Sequence, residues 1–272
     1  MNRPNRLSLF RSYSRQLLVV VSVAVPLVLL FSRPPIRQPQ EYYEFADRRV
    51  FLGIPNFFDV TTNLAFLLVG IAGLRFCFKN HWEGLRAAWI TLFVGLASVS
   101  FGSSYFHWNP GDDTLVWDRV SLTIGFMGLV VAILGEYVSI RVGRFLLVPA
   151  LFLGTASVFY WHWLDDLRFY LWIQLMPLLA IPVVMVLFRS GYSHQWFVVA
   201  ALGCYVLAKI TEIYDREIFI FTQRLISGHS LKHLLAALGC FALVVMLKRR
   251  QLLNARPCRR TPIKPAVNKQ KD

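Results

Sequence analysis

Eight apolar runs, each close to twenty residues long, constrain this chain more than anything else in it. They fall at 16–31, 57–77, 86–107, 115–138, 144–163, 167–188, 194–213 and 229–247. About twenty apolar residues in a helix cross the ~30 Å hydrocarbon layer of a bilayer. In lipid the backbone must satisfy its own hydrogen bonds, which a helix does within each segment. Connections between the last seven runs are short, so consecutive helices are expected to lie antiparallel and adjacent. The expected fold is an all-α membrane protein, a seven-transmembrane helix bundle with an additional N-terminal transmembrane helix. Hydrophobic residues make up 56% of the 272, above the 45–50% of soluble domains, and no soluble domain fits between the runs.

Five segments follow: a basic cytoplasmic N-terminus (1–15), an anchor helix (16–31), an external linker (32–55), the seven-helix domain (56–247) and a basic cytoplasmic tail (248–272). Run 16–31 could be the apolar part of a signal peptide, but Ser32-Arg33-Pro34-Pro35 follows it and no small-x-small cleavage site does, so an uncleaved anchor is expected. The formal charge of +14 is concentrated at the two ends. Lys248 to Asp272 holds nine basic residues and one acid, and Arg3, Arg6, Arg11 and Arg15 open the chain. Such flanks sit on the cytoplasmic side and bind anionic lipid headgroups, so the charge is not read as a nucleic-acid surface. Cys77, Cys204, Cys240 and Cys258 have no CxxC spacing, which points to neither a disulfide framework nor a thiolate metal site.

Lys/Arg asymmetry then orients the helices. Turns with Lys79, Arg86, Arg141, Arg144 and Arg189 go inside; turns with Asp112, Asp113, Asp165 and Asp166 go outside. This sorts the histidines. His107, His229 and His233 fall at outer helix ends with Asp118 and Ser103, whereas His81 and His194 fall at inner turns. Ser103 and His107 are four residues apart, as are His229 and His233, so each pair shares a helix face. Asp118 lies just past the turn after His107, where a hairpin brings the two to one depth. Three histidines, a carboxylate and a serine suit a catalytic zinc with three protein ligands and an open water position.

Taken singly these residues are ordinary: an HxxxH pair arises often by chance, and a histidine near a helix end is usually a hydrogen-bonded interfacial residue. His162, in WHWLDD, is the one competing outer histidine, and its flanking tryptophans suit an interfacial aromatic belt instead. Lys209 and Glu212 approach the same end and are expected to pair with each other.

SSYFH, then WD eleven residues after the histidine, then GHxxxH opening the last helix, resemble the alkaline ceramidase family of a wider seven-helix hydrolase superfamily related to adiponectin receptors. Asp59-Val60-Thr61-Thr62-Asn63 looks like that family's first core helix, and the resemblance covers residues 41–247. It implies zinc ligands His107, His229 and His233, with Asp118 handling the attacking water and Ser103 completing the site. It also implies a calcium site before the first core helix, with Glu44 and Asp47 as candidate ligands; Arg48, Arg49 and Asn56 depart from the family's acidic pattern there. The expected function is zinc-dependent hydrolysis of the amide of ceramide or another N-acyl membrane lipid. The style of the chain is that of a bacterial multi-pass protein of the inner (cell) membrane, with its site facing the periplasm. Three alternatives stay open at this point: a receptor or scaffold with a structural zinc closed by a fourth ligand, a haem protein using histidine pairs, and a hydrolase of phospholipid esters.

Overall fold

The computed structural model describes residues 6–80 and 85–253. Outside them lie the first five residues, residues 81–84 with His81, and the residues from 254 on, with Cys258 and six of the nine basic residues of 248–272. Among the described residues the named elements are all helical: α1 Arg6–Phe31, α2 Phe57–Thr62, α3 Leu64–Lys79, α4 Arg86–Trp108, α5 Asp112–Tyr137, α6 Ile140–Leu164, α7 Arg168–Leu187, α8 Trp196–Ile213, α9 Asp215–Phe221 and α10 Gly228–Arg249, with a 3-10 turn at Gln40–Tyr43. By length and composition eight spans can cross a membrane: α1 from Tyr13 onward, α2 with α3, and α4, α5, α6, α7, α8 and α10.

The boundaries differ from the sequence expectation where polar chemistry intervenes. Helix α5 starts at Asp112, three residues earlier than its apolar run. Asp112 and Asp113 occupy its first turn, where carboxylates meet the positive end of a helix. The Thr114 hydroxyl lies 2.7 Å from the Asn109 carbonyl and 2.9 Å from that of Gly111, tying down the preceding turn. The first core run is interrupted at Asn63, whose side-chain amide donates to the Asp59 carbonyl (2.8 Å) while Thr61 and Thr62 donate to Phe57 and Phe58 (2.7 Å each). Short polar side chains that bond the backbone in this way compete with the helical ladder.

Helix α5 is central, packed on α4, α6 and α7. Helix α10 packs on α8 and α3, α3 packs on α4, and α1 rests on α7. Consecutive helices α7 and α8 are not among the closely packed pairs, and two adjoining cavities lie between them. One large apolar core, with Trp89, Phe93, Ile133 and Met246, fills the bundle away from the histidines. A smaller one, with Phe45, Phe106, Leu115 and Trp161, underlies the histidine end.

Segments 32–55 and 214–228 are not free linkers. The first lies across the histidine end of the bundle: the Leu167 amide donates to the Ile36 carbonyl (2.7 Å) and the Gln38 amide to Asp165 Oδ1 (3.1 Å). The second contains α9, whose first residue, Asp215, accepts from the backbone amides of Ala46 (2.9 Å) and His229 (2.7 Å). One carboxylate therefore fastens this strap to the start of α10. Two glycines set helix distances here. A Cβ on Gly102 would lie 2.5 Å from the Trp117 carbonyl oxygen, so α4 and α5 touch backbone to backbone beside Ser103 and Asp118. A Cβ on Gly228 would lie 2.1 Å from the Thr211 carbonyl, which fixes α10 against α8 at His229.

Candidate metal centre

His107, near the end of α4, and His229 and His233, in the first two turns of α10, meet at one buried point. Their ligating atoms all lie within 4.8 Å of one another, an arrangement that could hold a metal ion. The closest pair is His107 Nε2 and His229 Nε2, 3.2 Å apart. The three side chains are almost completely buried, and Phe45 from the strap stacks edge-on against His107 (4.6 Å) and His229 (5.1 Å), shielding that face.

The surroundings fix which nitrogen His233 and His229 present. His233 Nδ1 lies 2.9 Å from Thr62 Oγ1, and that hydroxyl donates to the Phe58 carbonyl. Toward the ring Thr62 is therefore an acceptor; His233 donates from Nδ1 and keeps the Nε2 lone pair for the cluster. Lys232 Nζ lies 2.7 Å from His229 Nε2, which assigns that nitrogen a lone pair as well. Here the lysine ammonium supplies the positive charge that a metal ion would bring to the same face. Below the cluster, Asp59 is fully buried and its Oδ1 accepts from Ser230 Oγ (2.6 Å) and Ser227 Oγ (3.3 Å). Ser227 also caps α10 by accepting from the Ser230 amide (2.9 Å). Asp59 thus clamps the turn that carries both α10 histidines to α2, which carries Thr62.

A cavity of about 240 Å³ adjoins the cluster, and His233, Ser103 and Asp118 line it. All five residues expected at the site from the sequence thus come to one end of the bundle. Lys209 pairs with Glu212 as expected, and Lys232 joins the same carboxylate at 3.0 Å. A second, apolar cavity continues from the first, sharing Phe66, Leu122, Phe126 and Tyr205 and ending among Leu92, Val198 and Leu243.

Other candidates go elsewhere. His162 faces Asp113 at 3.6 Å and is not in the cluster. Asp47 is buried, and Arg49 takes both its oxygens at 2.8 and 2.6 Å. Glu44 faces Arg216 at 3.7 Å. The two calcium candidates are therefore held by arginines, and the histidine triad is the one metal-type grouping among the described residues. Sequence reasoning placed Asp215 at this end without its role, and missed Lys232 and the Asp59–Ser227–Ser230 clamp. Lys232 stood in plain view within GHSLKH, and a serine three residues before another at a helix start is a capping signal; Asp59 gains its meaning from serine hydroxyls far along the chain, and Asp215 from the backbone amides of Ala46 and His229.

Comparison with protein-family models, with curated proteins and with solved structures finds no match for this chain. Fold and site define the class directly: an all-helical chain with eight potential membrane spans, carrying a buried three-histidine cluster that could hold a metal ion.

Proposed function

We propose that this chain is a zinc-dependent membrane hydrolase that cleaves the amide of ceramide or a related N-acyl lipid to a fatty acid and an amine, built as a seven-helix domain behind an N-terminal anchor and akin to the alkaline ceramidases. The observation that carries the reading is the meeting of His107, His229 and His233 beside a cavity lined by Asp118 and Ser103. The donor set fits zinc: two nitrogens bound to one tetrahedral zinc stand roughly 3.3 Å apart, and His107 and His229 stand 3.2 Å apart. Three nitrogens with no fourth ligand among the described residues also favour an open catalytic site over a closed structural one. When bound, zinc supplies Lewis acidity and brings the pKa of a coordinated water toward ~7.

The chain's own residues do the rest. The Asp118 carboxylate takes a proton from the attacking water and returns it to the nitrogen of the departing amine. Ser103, on the wall of the same cavity, completes the site beside Asp118. Thr62 and the Asp59 clamp keep the His233 ring in one orientation. The apolar second cavity suits a lipid chain, and the loose α7–α8 seam suits entry from the bilayer. The basic ends face the cytoplasm and the triad faces the periplasm or cell exterior; labels at Asp112 or Asp165 react from outside, and a reporter after residue 250 reads as cytoplasmic.

The deciding experiment measures metal content and lipid products together on purified protein. Stoichiometric zinc with release of fatty acid from ceramide in detergent micelles is the expected result. Zinc without turnover of ceramides, other N-acyl lipids or phospholipids would overturn the hydrolase reading in favour of a receptor.

A further inference from the structure

We propose that the cavity beside the triad is built for an anionic headgroup, so that the amine part of the lipid carries a carboxylate or a phosphate. For its chemistry this rests on the hydrolase reading; for its binding it does not. Arg119, Lys209 and Lys232 line the cavity against two carboxylates, Asp118 and Glu212. Both lysines already lean on the one carboxylate of Glu212. Were His229 to hold a metal ion through Nε2, Lys232, whose ammonium has three N–H groups, would have donor capacity to spare for a ligand.

Arg119 is the decisive residue. It is 4% exposed and has no carboxylate within ion-pair distance among the described residues. The guanidinium lies 3.9 Å from the Trp161 ring and 4.5 Å from that of Tyr170. One terminal nitrogen donates to Gln38 Oε1 at 2.6 Å, and the other is buried without a partner. Burying a guanidinium without an acid is costly. Elsewhere this chain avoids that cost: the well-buried Arg168 and Arg250 side chains each hold a carboxylate, at 2.7 and 2.6 Å. Arg119 keeps one terminal nitrogen unpartnered and its guanidinium packed against aromatic rings on the wall of the cavity. That is the geometry with which arginine takes a carboxylate or phosphate. A neutral headgroup would leave the imbalance in place; an oxyanion removes it.

The test uses full-length metal-loaded protein in detergent and two matched probe pairs: N-palmitoylglycine against its uncharged glycinamide, and N-palmitoyl-phosphoethanolamine against N-palmitoylethanolamine. The first pair reads carboxylate and the second phosphate. At least one anionic probe is expected to exceed its neutral partner by about 10- to 100-fold in kcat/KM, the scale of a hydrogen bond to a charged group. Arg119→Gln should abolish that preference while changing the neutral probe's kcat/KM far less; should Arg119→Gln not fold, Lys209→Gln is expected to reduce the preference. Thermal stabilisation by each probe is read in parallel. Hydrolysis of neutral probes equal to or faster than anionic ones overturns the headgroup proposal and leaves the hydrolase reading standing. Stabilisation by an anionic probe, lost in Arg119→Gln, with no hydrolysis of any probe overturns the hydrolase reading and leaves the headgroup site standing. Equal stabilisation by all probes with no hydrolysis overturns both.

Discussion

The two ends of the bundle bury charge in opposite ways. Where α5 and α10 finish, Glu136 accepts through one oxygen from Arg250 (2.6 Å) and from the Trp89 indole (2.7 Å), and both ionic side chains are almost fully buried. Acid and base arrive in equal number, and Arg250 lies over the Tyr192 ring at 4.3 Å. Where α5 and α10 begin, three histidines converge on one point, Lys209 and Lys232 share the Glu212 carboxylate, and Arg119 has no carboxylate within ion-pair distance among the described residues. A balanced buried pair removes its own reason to bind anything. An unbalanced set is costly to bury unless something from outside completes it. The contrast supports placing the proposed function at the histidine end.

The sharpest way to break this comparison is to remove a triad member. His229→Ala and His233→Ala should each lose most of the bound metal and, with it, turnover to background, because each leaves two protein ligands. His162→Ala, which changes a residue outside the cluster, should keep both. Elemental analysis of purified protein reads the outcome, and metal loss in His162→Ala with retention in His107→Ala would reverse the ligand assignment.

Asp118 comes next. Asp118→Asn should keep fold and metal while turnover falls by about 10²–10⁴-fold, the usual contribution of a positioned general base. The assay is fatty-acid release normalised to bound metal. Unchanged activity per metal ion would remove Asp118 from the mechanism and make it a structural partner of Ser103.

At the opposite end Glu136→Ala should act on stability alone. Leaving one member of a buried ion pair uncompensated costs about 3–5 kcal/mol, read as a lower unfolding midpoint in detergent. Metal content per folded molecule should not change. If Glu136→Ala also strips metal, the ends are coupled and the division of labour drawn above fails.

Much of this was legible in the sequence because it depends on spacing along one helix or across one hairpin. The eight runs recur as the eight potential spans, and His229 and His233 share a face because four residues make about one turn. Asp118 meets the site because Asn109-Pro110-Gly111 folds α4 back on α5 and Gly102 lets their backbones touch. What stayed hidden depends on segments far apart in sequence. Polar composition made 32–55 look like a linker, yet it carries Phe45 onto two histidines and Gln38 onto Arg119. No periodicity announces such a strap, since it makes single contacts rather than a face. Asp59 lies 168 residues before Ser227 and finds it only because α2 and α10 are neighbours.

That strap gives the smallest predicted effect and the one with a pH signature. Asp166, in the turn between α6 and α7, accepts from the Arg168 side chain at 2.7 and 3.0 Å, from Tyr160 at 3.0 Å and from the Ile36 amide at 3.4 Å. Burial alone would raise its pKa, but the Arg168 donors outweigh it and pull the value down to about 2. A carboxylate whose folded pKa lies below its unfolded value near ~3.9 contributes stability that is fully present above the unfolded value and fades as pH falls toward the folded one. Asp166→Asn should therefore lower the unfolding midpoint by a constant amount from pH 8 to pH 5. The gap between the two proteins should then narrow from about pH 4 down to about pH 2. Because Asp166 anchors Ile36, two residues before Gln38, the same substitution should loosen the support of Arg119 and weaken discrimination between anionic and neutral probes without altering metal content. A stability gap that widens on acidification would show that the Asp166–Arg168 contact is not what holds the strap in place.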